Sequence, residues 1–442
     1  MLNPAVGVLD RLAAARPDFA PRRFGVVSAC DGGLVEVSGL ALPIGAMGAI
    51  THGHGALSAE TIGFRNGHTL MMLLGDPVLL RPGARVRAIG RPGMLPVGEA
   101  FLGRAVDGEA LPIDGGAAIS ATAQWPVGGV RAGALDRSPV RVPFDVGVRA
   151  LNGLTTFGVG QRIGIMAGSG VGKSVLLDMI AHGASADVVI VGLIGERARE
   201  VSDFVERHMH GERRARSVIV AVPADHAPNL RMRGAMLATG MAEYFRAQGY
   251  RVLLIMDSLT RVAHAAREIG LLLGEPGAAR GYPPSALATL TKLVERAGNS
   301  GTSGGSITGL YTVLADGDNQ DDPVVDTARA ILDGHVVLSR DLAQRGQYPA
   351  IDIAASLSRV MNDIVDPAHA RLARAFRAHV ASYEANRDLV LMGAYRHGTD
   401  AQLDRAIAMH DQLIGYLAQA QDERVALPAS VAQLAELFSD AG

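Results

Sequence analysis

A single cysteine, Cys30, in a chain of 442 residues excludes an intrachain disulfide and any multi-cysteine metal site, and suits a reducing compartment. It reads as a small buried apolar residue rather than a reactive thiol. An excess of charge of one sign is also missing. With 42 basic and 44 acidic side chains the formal net charge is −2, so nothing points to bulk electrostatic binding of nucleic acid or of an anionic membrane. Aromatic residues make up 4% of the chain, too few for the stacking platforms on which single strands lie, and no nucleic-acid partner is expected. No apolar run approaches the roughly 20 residues that span a bilayer. The N-terminus, with Asp10 and Asp18, lacks the pattern of a signal peptide. Internal repeats and low-complexity tracts are absent as well. These absences predict a soluble, cytoplasmic chain, long enough for two or three domains with ordinary cores.

What is present falls into four stretches. Residues 1–22 place Val6, Leu9, Leu12 and Ala13 at helical spacing, a weak amphipathic helix that reads as a partner-binding segment or a loose end. Residues 23–92 carry short apolar runs broken by glycine (Gly25 to Val27, Leu34 to Val37, Thr69 to Leu74, Val86 to Ile89), the texture of a small β-barrel. His52 and His54 fall in a turn there and, with no acidic or cysteine companion, read as loop residues rather than metal ligands. A Pro/Gly-rich connection opens the third stretch, 93–365. Its apolar strands, Ile163–Met166, Val188–Ile194, Val218–Val222, Val252–Met256, Ile307–Leu314 and His335–Leu338, alternate with helical patterns, which predicts a parallel sheet covered on both faces. Residues 366–442 are helical by pattern.

The chemistry centres on Ala167-Gly168-Ser169-Gly170-Val171-Gly172-Lys173-Ser174, between the strand Ile163–Met166 and a helix entered at Val175. A glycine-rich turn from strand into helix aims backbone N–H groups and the positive end of the helix dipole at one point, where polyphosphate fits. Gly168 to Val175 would cradle it, with the Lys173 ammonium at the β- and γ-phosphates and the Ser174 hydroxyl on Mg²⁺. Such loops usually open with glycine, and here Ala167 stands in that place.

Four further groups can complete a nucleotide-hydrolysing site. Asp257 closes the apolar strand Val252–Met256, at the ligand edge of a parallel sheet, where it can hold Mg²⁺. Glu196 ends another strand and can polarise an attacking water, with Arg197 beside it to neutralise phosphate charge. Arg261, one turn after Asp257 if that segment is helical, either reaches the phosphates or pairs with a carboxylate. Tyr348 offers a ring for a purine or for the core, and spacing alone does not place Arg359.

The motifs are also similar to those of a known family. Pro349-Ala350-Ile351-Asp352 followed, after three residues, by Ser356-Leu357-Ser358 resembles the signature of the rotary ATP synthases and the hexameric ATPases related to them. Within that group Ala167 to Ser174, Val191 to Arg197, Leu254 to Arg261, Gly281 to Ser285 and Asp326 to His335 look like the flagellum-specific export ATPases, with the ATPases of virulence type III secretion next. The resemblance covers nearly the whole chain. It implies an α/β fold with an N-terminal β-barrel, a central RecA-like P-loop ATPase domain with a parallel sheet, and a C-terminal helical domain. It implies ATP hydrolysis with Mg²⁺ that supports flagellar protein export, or export by a virulence system. Glu196 would be the catalytic carboxylate, Lys173, Arg197 and Arg261 the cations around the phosphates, and Tyr348 the adenine platform. Arg359 would be an arginine finger reaching the neighbouring subunit's nucleotide, in a homohexamer with the loop Glu275 to Arg280 facing the pore. The implied partners are a stalk protein in that pore, a peripheral-stalk protein at the N-terminal helix, export chaperones and the membrane export gate. The implied location is the cytoplasmic base of the export apparatus, with only peripheral membrane association. A non-hydrolysing ring subunit fits poorly, since such subunits generally lack the carboxylate at Glu196.

Overall fold

Six strands close into an antiparallel barrel: β1 (Phe24–Asp31), β2 (Leu34–Ser38), β3 (Met47–His52), β4 (Gly55–Arg65), β5 (His68–Leu73) and β6 (Arg85–Ile89), in the order β1-β2-β5-β4-β3-β6. The computed structural model describes residues 23–439 except 54, 132, 209–210 and 315–321, so the N-terminal segment and His54 lie outside the described residues. The chain divides into two compact units between Pro92 and Gly93. Val27, Val35, Val37, Ile50, Met71 and Val86 form the barrel's core, the alternate positions that a pleated strand turns to one side. Strands β3 and β4 carry little apolar signal, because β4 is built largely of Ala, Ser, Glu, Thr and Gly. His52, expected in a turn, is instead the last residue of β3.

Cys30 departs from expectation: it is exposed. It faces Val35 across the β1–β2 hairpin, but β1 pairs with β6 only through Phe24 to Val26. The Cys30 end of the strand therefore extends past its second neighbour, and nothing covers it.

In the second unit the long apolar runs form a sheet of β7 (Arg104–Val106), β8 (Arg162–Ala167), β9 (Val188–Ile194), β10 (Ser217–Val222), β11 (Arg251–Asp257), β12 (Ser306–Leu314), β13 (Gly334–Leu338) and β14 (Ile351–Ser358). Their order is β14-β13-β8-β12-β11-β9-β10-β7, with the two-residue strand Gly298–Asn299 attached beside β12. Every side chain of β9 and β10 is buried, as continuous apolar strands require when both faces are covered. Strands β7 to β13 run parallel; β14 is antiparallel to β13 and closes one edge. The sheet is thus less purely parallel than expected. The chain turns back from Leu338 to Ile351 at one edge of the sheet, without the crossover that a parallel neighbour needs. The opposite edge strand, β7, comes from the Pro/Gly-rich connection.

The helices that matter here are α1 (Arg149–Leu154), α2 (Lys173–Gly183), α3 (Ala198–His208), α4 (Pro228–Ala247), α5 (Leu259–Leu272), α6 (Pro284–Val294), α7 (Pro323–Ile331), α8 (Pro367–Leu391), α9 (Ala401–Leu417) and α10 (Leu427–Ser439). Their starts follow local chemistry. Ser258, Asp322, Asp366 and Asp400 accept backbone N–H bonds as N-caps, and Pro323 and Pro367 occupy the first helical position, where no N–H is needed. The three C-terminal helices pack with α1 around Phe376, Leu413, Tyr416 and Leu434, in the same core as the sheet.

Candidate active site

The C-terminal ends of parallel strands gather the candidate residues. Ala167, last in β8, is buried with its Cβ in the core, so its position needs no glycine. Gly170 and Gly172 have φ of +78° and +89°, values that side chains rarely adopt. Beside Gly170 no atom lies within 4 Å of where a Cβ would stand, and beside Gly172 the nearest is the Tyr348 ring at 3.5 Å. The loop leads directly into α2, whose first residue is Lys173.

Lys173 Nζ donates to Asp257 Oδ1 at 2.5 Å and to Glu196 Oε1 at 3.2 Å, with all three side chains largely buried. Three separate strands therefore converge on one ammonium. Gly195, φ +73°, turns the chain out of β9 into Glu196; a Cβ there would come within 2.6 Å of the Arg261 Cβ. Burial alone would lower the Lys173 pKa, but the charges of Asp257 and Glu196 outweigh it and hold the amine above the ordinary lysine value. Burial raises the Glu196 carboxyl, which Lys173 offsets only in part, and the neighbouring Glu200 adds to the rise. Burial likewise raises Asp257, with the Glu196 charge adding to it and Lys173 and Thr312 pulling the other way. Two carboxylates thus share one ammonium at the head of the helix, an excess of acid over base within the cluster.

That excess bears on the metal. Ser174, Glu196 and Asp257 line one cleft of about 160 Å³, together with Glu200 and Phe204. A hydroxyl and carboxylate oxygens suit a hard divalent cation that keeps several waters and takes its other ligands from phosphate. No cluster of three or more His, Cys, Asp or Glu able to hold a metal alone occurs among the described residues. The residues present fit Mg²⁺.

The remaining candidates separate. Arg261 does not share a helix with Asp257: Asp257 ends β11, Ser258 caps, and α5 begins at Leu259. It still packs against Gly195, next to Glu196, and its Nε is buried without a hydrogen-bond partner. Arg197 turns away. Its side chain is 84% exposed and pairs with Glu200 at 3.3 Å, because it stands at the outer start of α3. Tyr348 is half-exposed, against the Gly172 backbone and open on the solvent side. Arg359 follows β14, which runs from Ile351 beside Leu338, at the phosphate-loop edge, to Ser358 beside Gly334 at the other. Because β14 bulges, its run from Ile351 to Ser358 opposes only Leu338 back to Gly334, and Arg359, whose N–H donates to the Asp333 carbonyl, stands roughly 16 Å along the sheet from the phosphate-loop edge. It is exposed there, donating to the Arg329 carbonyl. Thr312 was not singled out from sequence: it donates to Asp257 Oδ1 at 2.5 Å. The only sequence signal for it is a hydroxyl near the end of an apolar strand.

This geometry defines a class, a P-loop nucleotide hydrolase built on a RecA-like sheet. Comparison with known proteins narrows it. Residues 147–358 match the nucleotide-binding domain of the ATP synthase alpha/beta family, and 365–436 match the T3SS EscN ATPase C-terminal domain. The chain is 48% identical to the flagellum-specific ATP synthase of Salmonella typhimurium, over 95% of this chain and 94% of that one. It is 43% identical to the type 3 secretion system ATPase of Xanthomonas euvesicatoria, over 95% of each. Among solved structures, the assembled ATPase EscN of the enteropathogenic E. coli type III secretion system superposes with a TM-score of 0.87 at 38% identity, covering 94% of this chain and all of that one. The chain belongs to the family of flagellum-specific ATP synthases and type III secretion ATPases, and it is an ATPase.

Proposed function

We propose that this ATPase works as a homohexameric ring whose Mg²⁺-dependent hydrolysis supports export of flagellar proteins. The observation that carries the reading is the Lys173 ammonium held between Glu196 and Asp257 at the mouth of a phosphate loop. In this reading the loop N–H groups of Gly168, Ser169, Gly170, Val171, Gly172, Lys173, Ser174 and Val175 bind the phosphates, and Lys173 exchanges its carboxylate partners for the β- and γ-phosphates. Ser174 and Asp257 hold Mg²⁺, which when bound neutralises phosphate charge. Glu196 orients and polarises the attacking water, its carboxylate made more basic by burial. Arg261 meets the phosphates with its unpartnered Nε–H, and Arg197 swings in from solvent only when nucleotide is present. Tyr348 stacks on adenine.

Arg359 acts in trans. Its place toward the far end of the sheet supports a role at the neighbour's nucleotide rather than the subunit's own, in a ring of identical subunits with one site per interface. EscN has been solved both assembled and in complex with its central stalk EscO. By that likeness a stalk protein occupies the pore of this ring, beside the Glu275 to Arg280 loop. A peripheral-stalk protein, export chaperones and the membrane export gate complete its surroundings at the cytoplasmic base of the flagellum. Among the described residues no helix is long and apolar enough to cross a membrane. The flagellar branch is preferred on the higher identity to the Salmonella protein; export through a virulence system is the second reading, favoured by the Xanthomonas match.

The test is ATP hydrolysis against protein concentration for the wild type, Glu196→Gln and Arg359→Ala. Specific activity that rises with concentration in the wild type, and is lost in both variants while nucleotide still binds, supports the shared site. Flat activity, with Arg359→Ala hydrolysing normally, overturns it.

A further inference from the structure

Asp257 is held by two donors on one oxygen. Lys173 Nζ and Thr312 Oγ1 both lie 2.5 Å from Oδ1, and among the described residues no hydrogen bond engages Oδ2. Thr312 stands on β12, the strand between β8, which delivers the phosphate loop, and β11, which ends in Asp257. It pairs in register with Ile165, two residues before Ala167. Its side chain is wholly buried, so its hydroxyl must find a partner inside the protein. The Met256 carbonyl at 3.3 Å is available, but the carboxylate is closer and charged, the stronger acceptor.

We infer that Thr312 is a positioning residue for the reaction: its hydroxyl fixes the Asp257 carboxylate so that one oxygen is committed to the protein and the other is presented to the divalent cation. The inference rests on the reading of Asp257 as a cation-holding residue. Without the hydroxyl, Asp257 is free to rotate about its Cβ–Cγ bond and to place either oxygen, or neither, toward the cleft that it lines with Ser174. Lys173 cannot replace the missing donor, since it must leave Asp257 for the phosphates during turnover. Valine keeps the shape of threonine and removes the hydroxyl; serine keeps the hydroxyl and removes the methyl.

The experiment titrates Mg²⁺ against binding of a fluorescent non-hydrolysable ATP analogue to the full chain, with melting temperature and turnover measured in parallel. Thr312→Val is expected to move the Mg²⁺ midpoint upward by about 10- to 100-fold, the usual effect of removing a group that orients a metal ligand. Metal-free nucleotide binding and the melting temperature should stay at wild-type values, and Thr312→Ser should restore the midpoint. In an Asp257→Asn background, Thr312→Val should add no further shift, because its only route to the cation is then gone. A wild-type midpoint in Thr312→Val overturns the inference. So does a serine variant as impaired as the valine one, or a melting temperature that falls along with the midpoint, since either assigns Thr312 to packing. An unshifted midpoint in Asp257→Asn overturns the underlying assignment of Asp257 itself.

Discussion

Mixing two inactive variants tests the trans site most directly. Glu196→Gln removes the carboxylate but keeps the finger; Arg359→Ala removes the finger but keeps the carboxylate. Each ring made of one variant has a defect at every interface. The geometry argues against rescue within a chain: roughly 16 Å of sheet separate Arg359 from its own phosphate-loop edge, more than an arginine side chain spans. In a ring assembled from equal amounts of both, the complete pairing is an Arg359→Ala subunit offering its nucleotide to a Glu196→Gln subunit. Random placement makes that pairing at about one interface in four, half the subunits on each side being suitable. Loss of a finger costs about 10³-fold or more in other phosphoryl-transfer enzymes, so each parent should fall to background. The assay is phosphate release from the two variants mixed at a concentration too low for ring formation and then concentrated together. Activity approaching a quarter of wild type is expected in the mixture. A mixture no more active than the sum of its parents refutes the shared site.

Other consequences follow from the same cluster. Lys173 and Lys292 are the chain's two lysines, and Lys292 is exposed. Because its raised pKa keeps Lys173 protonated, an amine-reactive reagent at mildly alkaline pH should modify Lys292 first, and Glu196→Gln should speed labelling of Lys173 by removing one of the charges that raise it. Peptide mass spectrometry reads both sites, and equal Lys173 rates in wild type and Glu196→Gln contradict the cluster. Gly195→Ala forces a side chain onto a positive φ and into the Arg261 Cβ, and should cost about 1–3 kcal/mol in a denaturation experiment as well as activity. Stability equal to wild type refutes the crowding. Tyr348→Ala should raise KM for ATP about tenfold, the worth of one stacked base, while Tyr348→Phe leaves it unchanged. A KM that rises equally in both variants points to the hydroxyl instead.

Much of this was legible in the chain because it is local. The phosphate loop is eight consecutive residues whose glycines, lysine and hydroxyl act through the backbone they sit on. The all-apolar run Val188 to Ile194 announces a strand covered on both sides, and its position makes Glu196 a candidate from sequence alone. Where neighbours in space are distant in sequence, the reading ran out. Arg197 has the right residue type beside the right carboxylate, yet the start of α3 points it into solvent. Cys30 looked like a core residue, but it stands where β1 outruns its neighbour. The convergence of Lys173, Glu196 and Asp257 joins three strands, and the Thr312 hydroxyl reaches Asp257 only because β12 lies between β8 and β11. Arg359 acquires meaning from the reversal of β14, which carries it away from the phosphate loop. Motif determined that this chain binds a nucleotide, and the family resemblance those motifs carry implied that it hydrolyses one. Strand order decided which side chains meet around it, since contacts between strands depend on register and direction, which no single segment encodes.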